Sequence, residues 1–511
     1  MRIGILELMS IEASRRLDHL AYKYLINRQY ASIMPQAISV WCRNLGHEVF
    51  YATYFGNNDP KQLLPNDLDI VFVSTYTQAS ALAYALAKLY RREKTLTVIG
   101  GPHAKQFPED CQRFFDVVVG ECDETLIKEL LSDKPRDSYV TSGRPLKSIP
   151  GVEERMPEIR SSTFFKGRPF FINSVSVITS LGCPNSCDFC IDWNNPYMLL
   201  PLDQLEADMR YIFEHLPNVM IGIHDPNFAV KFEPVFDVLE KIPNRRHNTY
   251  MMETSLSILR GSRLERQKNL GKFYIIPGIE SWTAYSNKVG AGSIIAPRQK
   301  LDKVIEQFNT IRPYVTGIQA NFIFGLDVDT GDEPVELTKE FASRVPFVMP
   351  NFNIPVPFGN TPLYERYLSE GRILTAMPFT FYYMPYLVNT LKNYSPVVFY
   401  EKLIDMVSYI SSGSMLLKRL KNSPPSFPSG YNLVKALGNR QMIGRLRNIL
   451  NLLNTDKQFR LFHEHETDVL PEYYHRQYER LLGPYATLMS HEERKPVLVR
   501  HVKNEVSTRL K

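Results

Sequence analysis

The chain has 511 residues, 44% apolar and 22% charged, with a formal net charge of +6. This composition fits a globular chain of two or three domains and excludes a disordered, collagenous or disulfide-stapled one. The longest apolar runs, such as DIVFVSTY and NFIFGL, fall far short of the ~20 residues that span a bilayer, so no transmembrane segment is expected. Arg2 and Glu7 interrupt the opening MRIGILELMSIE where a signal peptide needs an unbroken apolar core, and the expected location is the cytoplasm. Basic pairs such as Arg91 with Arg92 are scattered rather than striped, so nucleic acid is not an expected partner.

From residue 2 to about 135, short β-branched runs (RIGILEL, HEVFYATY, DIVFVSTY, TLTVIGG, DVVVG) alternate with helical stretches. The pattern predicts an open, Rossmann-like α/β sheet of five strands, assigned to residues 1–140. Ala37, Val40, Trp41 and Leu45 form a helical stripe that Gly46 stops, and QASALAYALAKLYRR is a second helix. Ligands of such sheets settle outside the carboxyl ends of the strands. That directs attention to Thr75, Tyr76 and Gln78, to Gly100, Gly101, Pro102 and His103, and to Gly120, Glu121 and Glu124. The IGGPH turn strips side-chain bulk from a strand end, although a tight turn with a solvated histidine has the same signature.

Residues 141–170 belong to a stretch rich in Pro, Ser, Arg and Gly that reads as a linker. A second alternating series occupies 171–395, with strands in SVSVITS, VMIGIHD, TYMMETS, KFYIIPGIE, GIQANFIFGL and FVMPNFNIPV. Six strand and helix units predict a partial, TIM-like (β/α)6 barrel, whose polar strand ends include Asp225, Asn227, Glu253, Glu280 and Ser281. Residues 396–511 read as a mainly helical region.

The first strand of the second series runs into CPNSCDFC, which sets Cys183, Cys187 and Cys190 in a C-x3-C-x2-C frame with no fourth cysteine behind it. Structural zinc asks for four closed ligands, usually from two C-x2-C pairs, and no second pair exists. An iron-sulfur cluster with three protein thiolates leaves one iron open to an exogenous ligand. Cys42, Cys111 and Cys122 stand alone and read as ordinary small packed side chains.

The stretch GCPNSCDFC, with Phe189 just before the third cysteine, resembles the cluster loop of the radical S-adenosylmethionine superfamily. The resemblance implies that Cys183, Cys187 and Cys190 bind a 4Fe-4S cluster whose open iron chelates S-adenosylmethionine. Reductive cleavage then releases a deoxyadenosyl radical. It also implies that Asp225, Asn227, Glu253, Glu280 and Ser281 contact that cofactor, although each could equally satisfy a turn or a cap. The five-strand domain ahead of the loop, with GGPH and VVVGECDETLIKEL, is similar to the cobalamin-binding domain of cobalamin-dependent radical enzymes. In that class the corrin lies against the carboxyl edge of the first sheet, on the ten residues from Thr75 to Glu124 named above. The D-x-H-x-x-G motif of many other cobalamin proteins is absent, since His19, His47 and His103 have no Asp two positions earlier.

With both cofactors, the resemblance implies methyl transfer to an unactivated carbon of a small-molecule or peptide substrate, with a flavodoxin or ferredoxin as electron donor. The alternatives are a cobalamin-dependent oxidation, cyclisation or rearrangement, and a non-catalytic iron-sulfur and corrinoid sensor. No catalytic acid or base stands out. Phe379, Phe381, Tyr382, Tyr383 and Tyr386 could wall an apolar or planar substrate or pack the helical region onto the barrel. Trp193 could cover the cluster or fill a core.

Overall fold

The computed structural model describes residues 1–12, 30–56, 58–165, 167–169, 173–217, 219–243, 248–283, 296–422 and 427–500, with backbone only at 427–429 and 431–437. His19 and the Pro and Ser break at 423–426 lie outside the described residues.

The first sheet consists of β1 (Arg2–Leu8), β2 (Glu48–Tyr54), β3 (Ile70–Thr75), β4 (Leu96–Gly100), β5 (Val117–Val119) and β6 (Ser138–Val140), in the order β2-β1-β3-β4-β5-β6. Every pairing is parallel. Strand β1 is buried at six of its seven positions, as expected of a strand covered on both faces. Helix α1 (Ile33–Asn44) buries Ala37, Val40 and Trp41, and the chain turns at Gly46 with φ +81°. Helix α2 (Ser80–Arg92) covers the other face of the sheet, with two short helices, α3 (Pro102–Gln106) and α4 (Pro108–Gln112), beyond β4. Helix α5 (Glu124–Asp133) is capped by Asp123, whose carboxylate accepts from Leu126 N at 2.8 Å. Strand β6 is the sixth where five were expected: Ser-Tyr-Val is too short and polar to carry a period, and its pairing with β5 makes it a strand.

The expected linker contains a helix, α6 (Met156–Ser162), and a buried arginine just ahead of it. The Arg155 guanidinium donates to Pro150 O, Gln36 Oε1 and Ser176 O at 2.8, 2.8 and 3.0 Å. A guanidinium bonded at all three nitrogens tolerates such burial, and here it ties the linker to α1 and to the second sheet.

That sheet contains β7 (Ser174–Val177), β10 (Met220–Ile223), β11 (Thr249–Glu253), β12 (Lys272–Ile276), β13 (Gly278–Glu280), β14 (Gly317–Ile323) and β15 (Val348–Asn353), all parallel. Helices α7 (Leu202–His215), α8 (Phe232–Lys241), α9 (Ser262–Leu270), α10 (Pro297–Ile311) and α11 (Glu333–Arg344) alternate with them, giving six β/α units. The expected strand KFYIIPGIE is split at Pro277, which has no N–H to give a ladder. Both halves, β12 and β13, pair in turn with β14.

Beyond α12 (Pro362–Ser369) the chain is helical: α13 (Pro396–Ile410), α14 (Gly413–Asn422), α15 (Phe427–Thr455), α16 (Lys457–His463), α17 (Glu472–Leu482) and α18 (His491–Arg494). The chain then returns to the first lobe. Arg113 donates to Lys495 O at 2.9 Å and Val497 N donates to Asp110 Oδ1 at 2.8 Å, while Tyr364 of α12 donates to Val499 O at 3.1 Å and so ties the same segment to the second lobe. One hydrophobic core runs from Leu6 and Leu8 through the second sheet to Tyr474 and Tyr478. Phe379, Phe381, Tyr382 and Tyr386 are buried in it, so these rings pack the lobes together. No described helix is long and apolar enough to cross a membrane.

Candidate functional site

The cysteine loop is closed at its base by a two-residue antiparallel pair, β8 (Ser180–Leu181) with β9 (Met198–Leu199). Gly182 follows with φ +65°, and any Cβ there would collide with the Asn195 and Pro196 carbonyls, so only glycine fits this close approach. Cys183 N donates to Asn195 O at 3.2 Å and Cys190 N to Cys187 O at 3.0 Å, which folds the segment back on itself. Cys183 and Cys190 are part-exposed, and Cys187 is 9% exposed. The other three thiols differ: burial pushes Cys42 and Cys122 up to about 12 and Cys111 well above its usual range, which leaves them protonated and inert.

No three His, Cys, Asp or Glu side chains among the described residues converge as they would on a single metal ion. A four-iron cluster does not require that, because each thiolate takes a different iron. Three thiols on one glycine-initiated, part-exposed loop fit such a cluster.

The loop is braced from two sides. Trp193 is half-buried, and its Nε1 donates to Asn360 O at 2.8 Å, so its indole bridges to the chain after β15. Leu363 N donates to Asp188 O at 2.9 Å, and Arg366 Nη1 donates to Asp188 Oδ2 at 3.0 Å. On the first lobe, Lys105 pairs with Glu121 at 2.6 Å and approaches Asp192 at 3.8 Å, while its carbonyl accepts from Asn360 Nδ2 at 2.7 Å.

The polar strand ends divide into two groups. Asp225, 2% exposed, accepts from Thr179 N at 2.6 Å and from the hydroxyls of Thr179 and Ser180 at 2.5 Å each. It therefore pins the residues that lead into the cysteine loop. Burial raises its pKa, and these three donors pull the other way. The buried Asn227 accepts from Ser255 N at 2.9 Å, which joins the ends of β10 and β11. Ser281 donates to Asp329 Oδ1 at 2.7 Å. Glu280 is buried with φ +67° and lies close enough for its charge to act on Lys300, whose Nζ donates to the carbonyls of Ile279, Ser281 and Thr283. Glu253, at the end of β11, is the exposed member of the set.

At the carboxyl edge of the first sheet, Tyr76, Gln78, Gly100, Gly101, Pro102 and Gly120 are part-exposed, and Glu121 and Glu124 are exposed. Thr75 is buried, and its hydroxyl donates to Tyr76 O at 3.0 Å. Gly101 has φ +90°, and a Cβ there would stand 2.9 Å from Ser74 Oγ, so this glycine serves the turn itself. Gly100 has open space on its Cβ side, the nearest atoms being those of Val119 at 4.0 Å. His103 is fully buried: Nε2 pairs with Tyr84 OH at 2.6 Å, and the ring packs on Phe379 with centroids 5.1 Å apart. Burial lowers its pKa to about 3, so it is a neutral core side chain. The remaining edge, bare at Gly100 and aromatic at Tyr76, fits a flat ligand.

The structure also brings in residues that the sequence pattern does not single out. Glu7, 1% exposed in β1, accepts from Ser32 N at 2.9 Å and from Thr53 Oγ1 at 3.2 Å, and burial raises its pKa. Ser32 Oγ is 3.4 Å from Tyr76 OH. Tyr30 feels the charges of Tyr76, Glu7 and Glu253, and its ring lies against His224 of the second sheet. His224 Nε2 is 3.0 Å from Ser176 Oγ, which also donates to Ala31 O at 3.1 Å. The carboxyl ends of the two sheets therefore face one another across Tyr30. A carboxylate inside the apolar run RIGILEL was the one available signal for Glu7.

Residues 177–341 match the radical SAM superfamily. The chain is 25% identical over 378 residues, 70% of its length and 81% of the relative, to the bacteriochlorophyllide d C-8(2)-methyltransferase of Chlorobaculum tepidum. It is also 25% identical over 345 residues, 60% of its length and 71% of the relative, to an uncharacterized methyltransferase of Pyrococcus horikoshii. Its fold is similar to that of TsrM from Kitasatospora setae, a radical S-adenosylmethionine methyltransferase solved with cobalamin and a 4Fe-4S cluster bound. The TM-score is 0.57 at 13% identity, over 88% of this chain and 99% of that one.

Proposed function

The chain carries a radical S-adenosylmethionine domain, and on that premise we propose that it is a cobalamin-dependent enzyme that methylates an unactivated carbon. The observation that carries this reading is the meeting of two parallel sheets at their carboxyl ends, Tyr30 and Tyr76 on one side and His224 and Glu253 on the other. The name of the Chlorobaculum relative, a methyltransferase acting at C-8(2) of a bacteriochlorophyllide, supports methyl transfer. The fold shared with TsrM, which was solved with cobalamin, supports the corrinoid.

When bound, the cluster supplies the electron that cleaves S-adenosylmethionine and the corrinoid supplies a transferable methyl group. Cys183, Cys187 and Cys190 would hold the cluster, and Asp225 would keep their loop in place by fixing Thr179 and Ser180. Glu253, Glu280 and Ser281 would line the S-adenosylmethionine side, with Asn227 holding β10 to β11 behind them. The corrinoid would rest on Thr75, Tyr76, Gln78, Gly100, Gly101, Pro102, Gly120, Glu121 and Glu124. His103 would support that edge from within the core. Division at 1–140, 171–395 and 396–511 would give each cofactor its own sheet, with the helical region sharing a core with both lobes. Buried aromatic side chains around the junction would keep water from a reactive substrate carbon.

The test is to purify the protein without oxygen, rebuild the cluster, offer hydroxocobalamin, remove the excess and measure retained corrinoid beside iron. About one corrinoid per chain, and a product heavier by one methylene, is the expected result. Iron without corrinoid would remove the methyl-transfer reading and leave a radical enzyme. Loss of hydrogen from the product would indicate oxidation or ring formation instead.

A further inference from the structure

Between the segment after β1 and the C-terminal helices lies a cavity of about 310 Å³, within the size range of small-molecule sites. Glu12 comes from the first lobe, Tyr386 from the aromatic segment, Arg445 and Asn448 from α15, and Tyr473 and Arg480 from α17. Glu12 is the single acidic residue in the lining, against two arginines. The other acids of α17 serve other cations, Glu472 pairing with Arg476 and Glu479 with Arg494. Among the described residues, no ion pair joins a carboxylate to Arg445 or Arg480.

The two guanidiniums act on the same place: both charges reach Tyr383 and Tyr473 and favour the ionised phenols. Glu12 also acts on Tyr383, and the other polar groups of the lining are neutral amides and phenols, so two cationic forks face one carboxylate and retain a preference for a further oxyanion. The lining lies outside residues 177–341 and outside the edge proposed for the corrinoid, so neither cofactor accounts for it.

We infer that this cavity receives the anionic end of the organic substrate, a carboxylate held by Arg445 and Arg480 between the rings of Tyr386 and Tyr473. The inference rests on the methyltransferase reading above. It narrows the substrate to an organic acid with a planar or apolar body, since Leu481 and the two tyrosines supply the non-ionic part of the lining.

The experiment uses the full chain with its cluster rebuilt and measures binding of 2-naphthoate, 2-naphthol and inorganic phosphate by equilibrium dialysis. Naphthoate is expected to bind at least about tenfold more tightly than naphthol. R445Q and R480Q should each weaken naphthoate binding by about tenfold, with R445K in between. Arg480 is exposed, so R480Q keeps the test valid if R445Q fails to fold. Equal binding of naphthol, or naphthoate binding that survives both substitutions, would overturn the inference. So would lowered retention of hydroxocobalamin in R445Q with naphthoate binding intact, because the oxyanion would then be the phosphate of the corrinoid. Tight phosphate binding without naphthoate binding would overturn it too. Corrinoid retention by the unsubstituted chain tests the underlying reading separately.

Discussion

The ring of Tyr30 lies 5.3 Å from that of His224, centroid to centroid, at an interplanar angle of 52°. Tyr30 leads into α1 at the edge of the first sheet, and His224 follows β10 of the second. The contact therefore joins the entry to α1 in the first lobe to the end of β10 in the second. Burial lowers the His224 pKa to about 4, which keeps the imidazole neutral beside the phenol and lets it pair with Ser176.

Replacing Cys183, Cys187 or Cys190 by Ala is expected to cut iron retention by more than about tenfold, since loss of a direct ligand exceeds the 10- to 100-fold typical of outer-shell changes. Thermal unfolding should be little altered. Cys122→Ala serves as the contrast, because its thiol is part-buried at the first sheet, outside the C-x3-C-x2-C frame, and should leave iron content unchanged. Iron and sulfide analysis of the four variants decides it.

Asp225→Asn leaves one acceptor oxygen where two served Thr179 N, Thr179 Oγ1 and Ser180 Oγ. The expected cost is about 2–3 kcal/mol, from buried donors left short of a charged acceptor. The cluster should also be lost faster to a chelator, although all three cysteines remain. A variant that melts lower but holds iron as firmly as the parent would deny Asp225 its proposed hold on the loop.

Asp329 accepts from Ser281 Oγ, Gly325 N and Leu326 N, and burial raises its pKa to about 6. Its folded value lies above its unfolded one, so the folded chain binds the extra proton more readily between roughly pH 4 and 6. The stabilising contribution is complete below the unfolded value and is lost as pH rises through 6. Asp329→Asn removes that dependence, so the melting temperature of the variant relative to the parent should climb from pH 4 to pH 7. Lys300 remains charged across this range, its pKa being lowered by burial only to about 8.

Gly359→Ala places a methyl group against the Gln106 carbonyl, where the chain after β15 crosses the first lobe. Overpacking of this kind costs about 1–3 kcal/mol. The neighbouring bonds from Trp193 Nε1 to Asn360 O and from Asn360 Nδ2 to Lys105 O should loosen together. Urea denaturation should show a lower midpoint, and limited proteolysis should cut near residue 360 sooner than in the parent.

What the sequence revealed was what local pattern and covalent spacing can encode. The β-branched runs located strands β1 to β5 and the strand regions of the barrel, and the cysteine frame marked its own loop. The pattern was blind to pairing partners, so Ser-Tyr-Val at 138–140 was not read as a strand until β5 was beside it. It ranked Asp225 and His103 with the exposed polar residues because a strand end looks alike whether its side chain meets a ligand or its own fold. The buried roles of Glu7 and Arg155 were not legible because their partners are distant in sequence: Ser32 and Thr53 for one, Gln36 and Ser176 for the other.

The hydrogen bond from Val497 N to Asp110 spans 387 positions of chain. A ribosome adding residues in order makes Asp110 long before its partner. Until then this buried carboxylate has only Tyr84 and Arg113 to hold it, and the outer side of α2 and α4 stays uncovered. The first lobe can thus form its sheet early but acquires its finished exterior only once residue 497 has been made. The order of manufacture therefore leaves the first lobe without its outer covering while the second sheet and the helices are still being made.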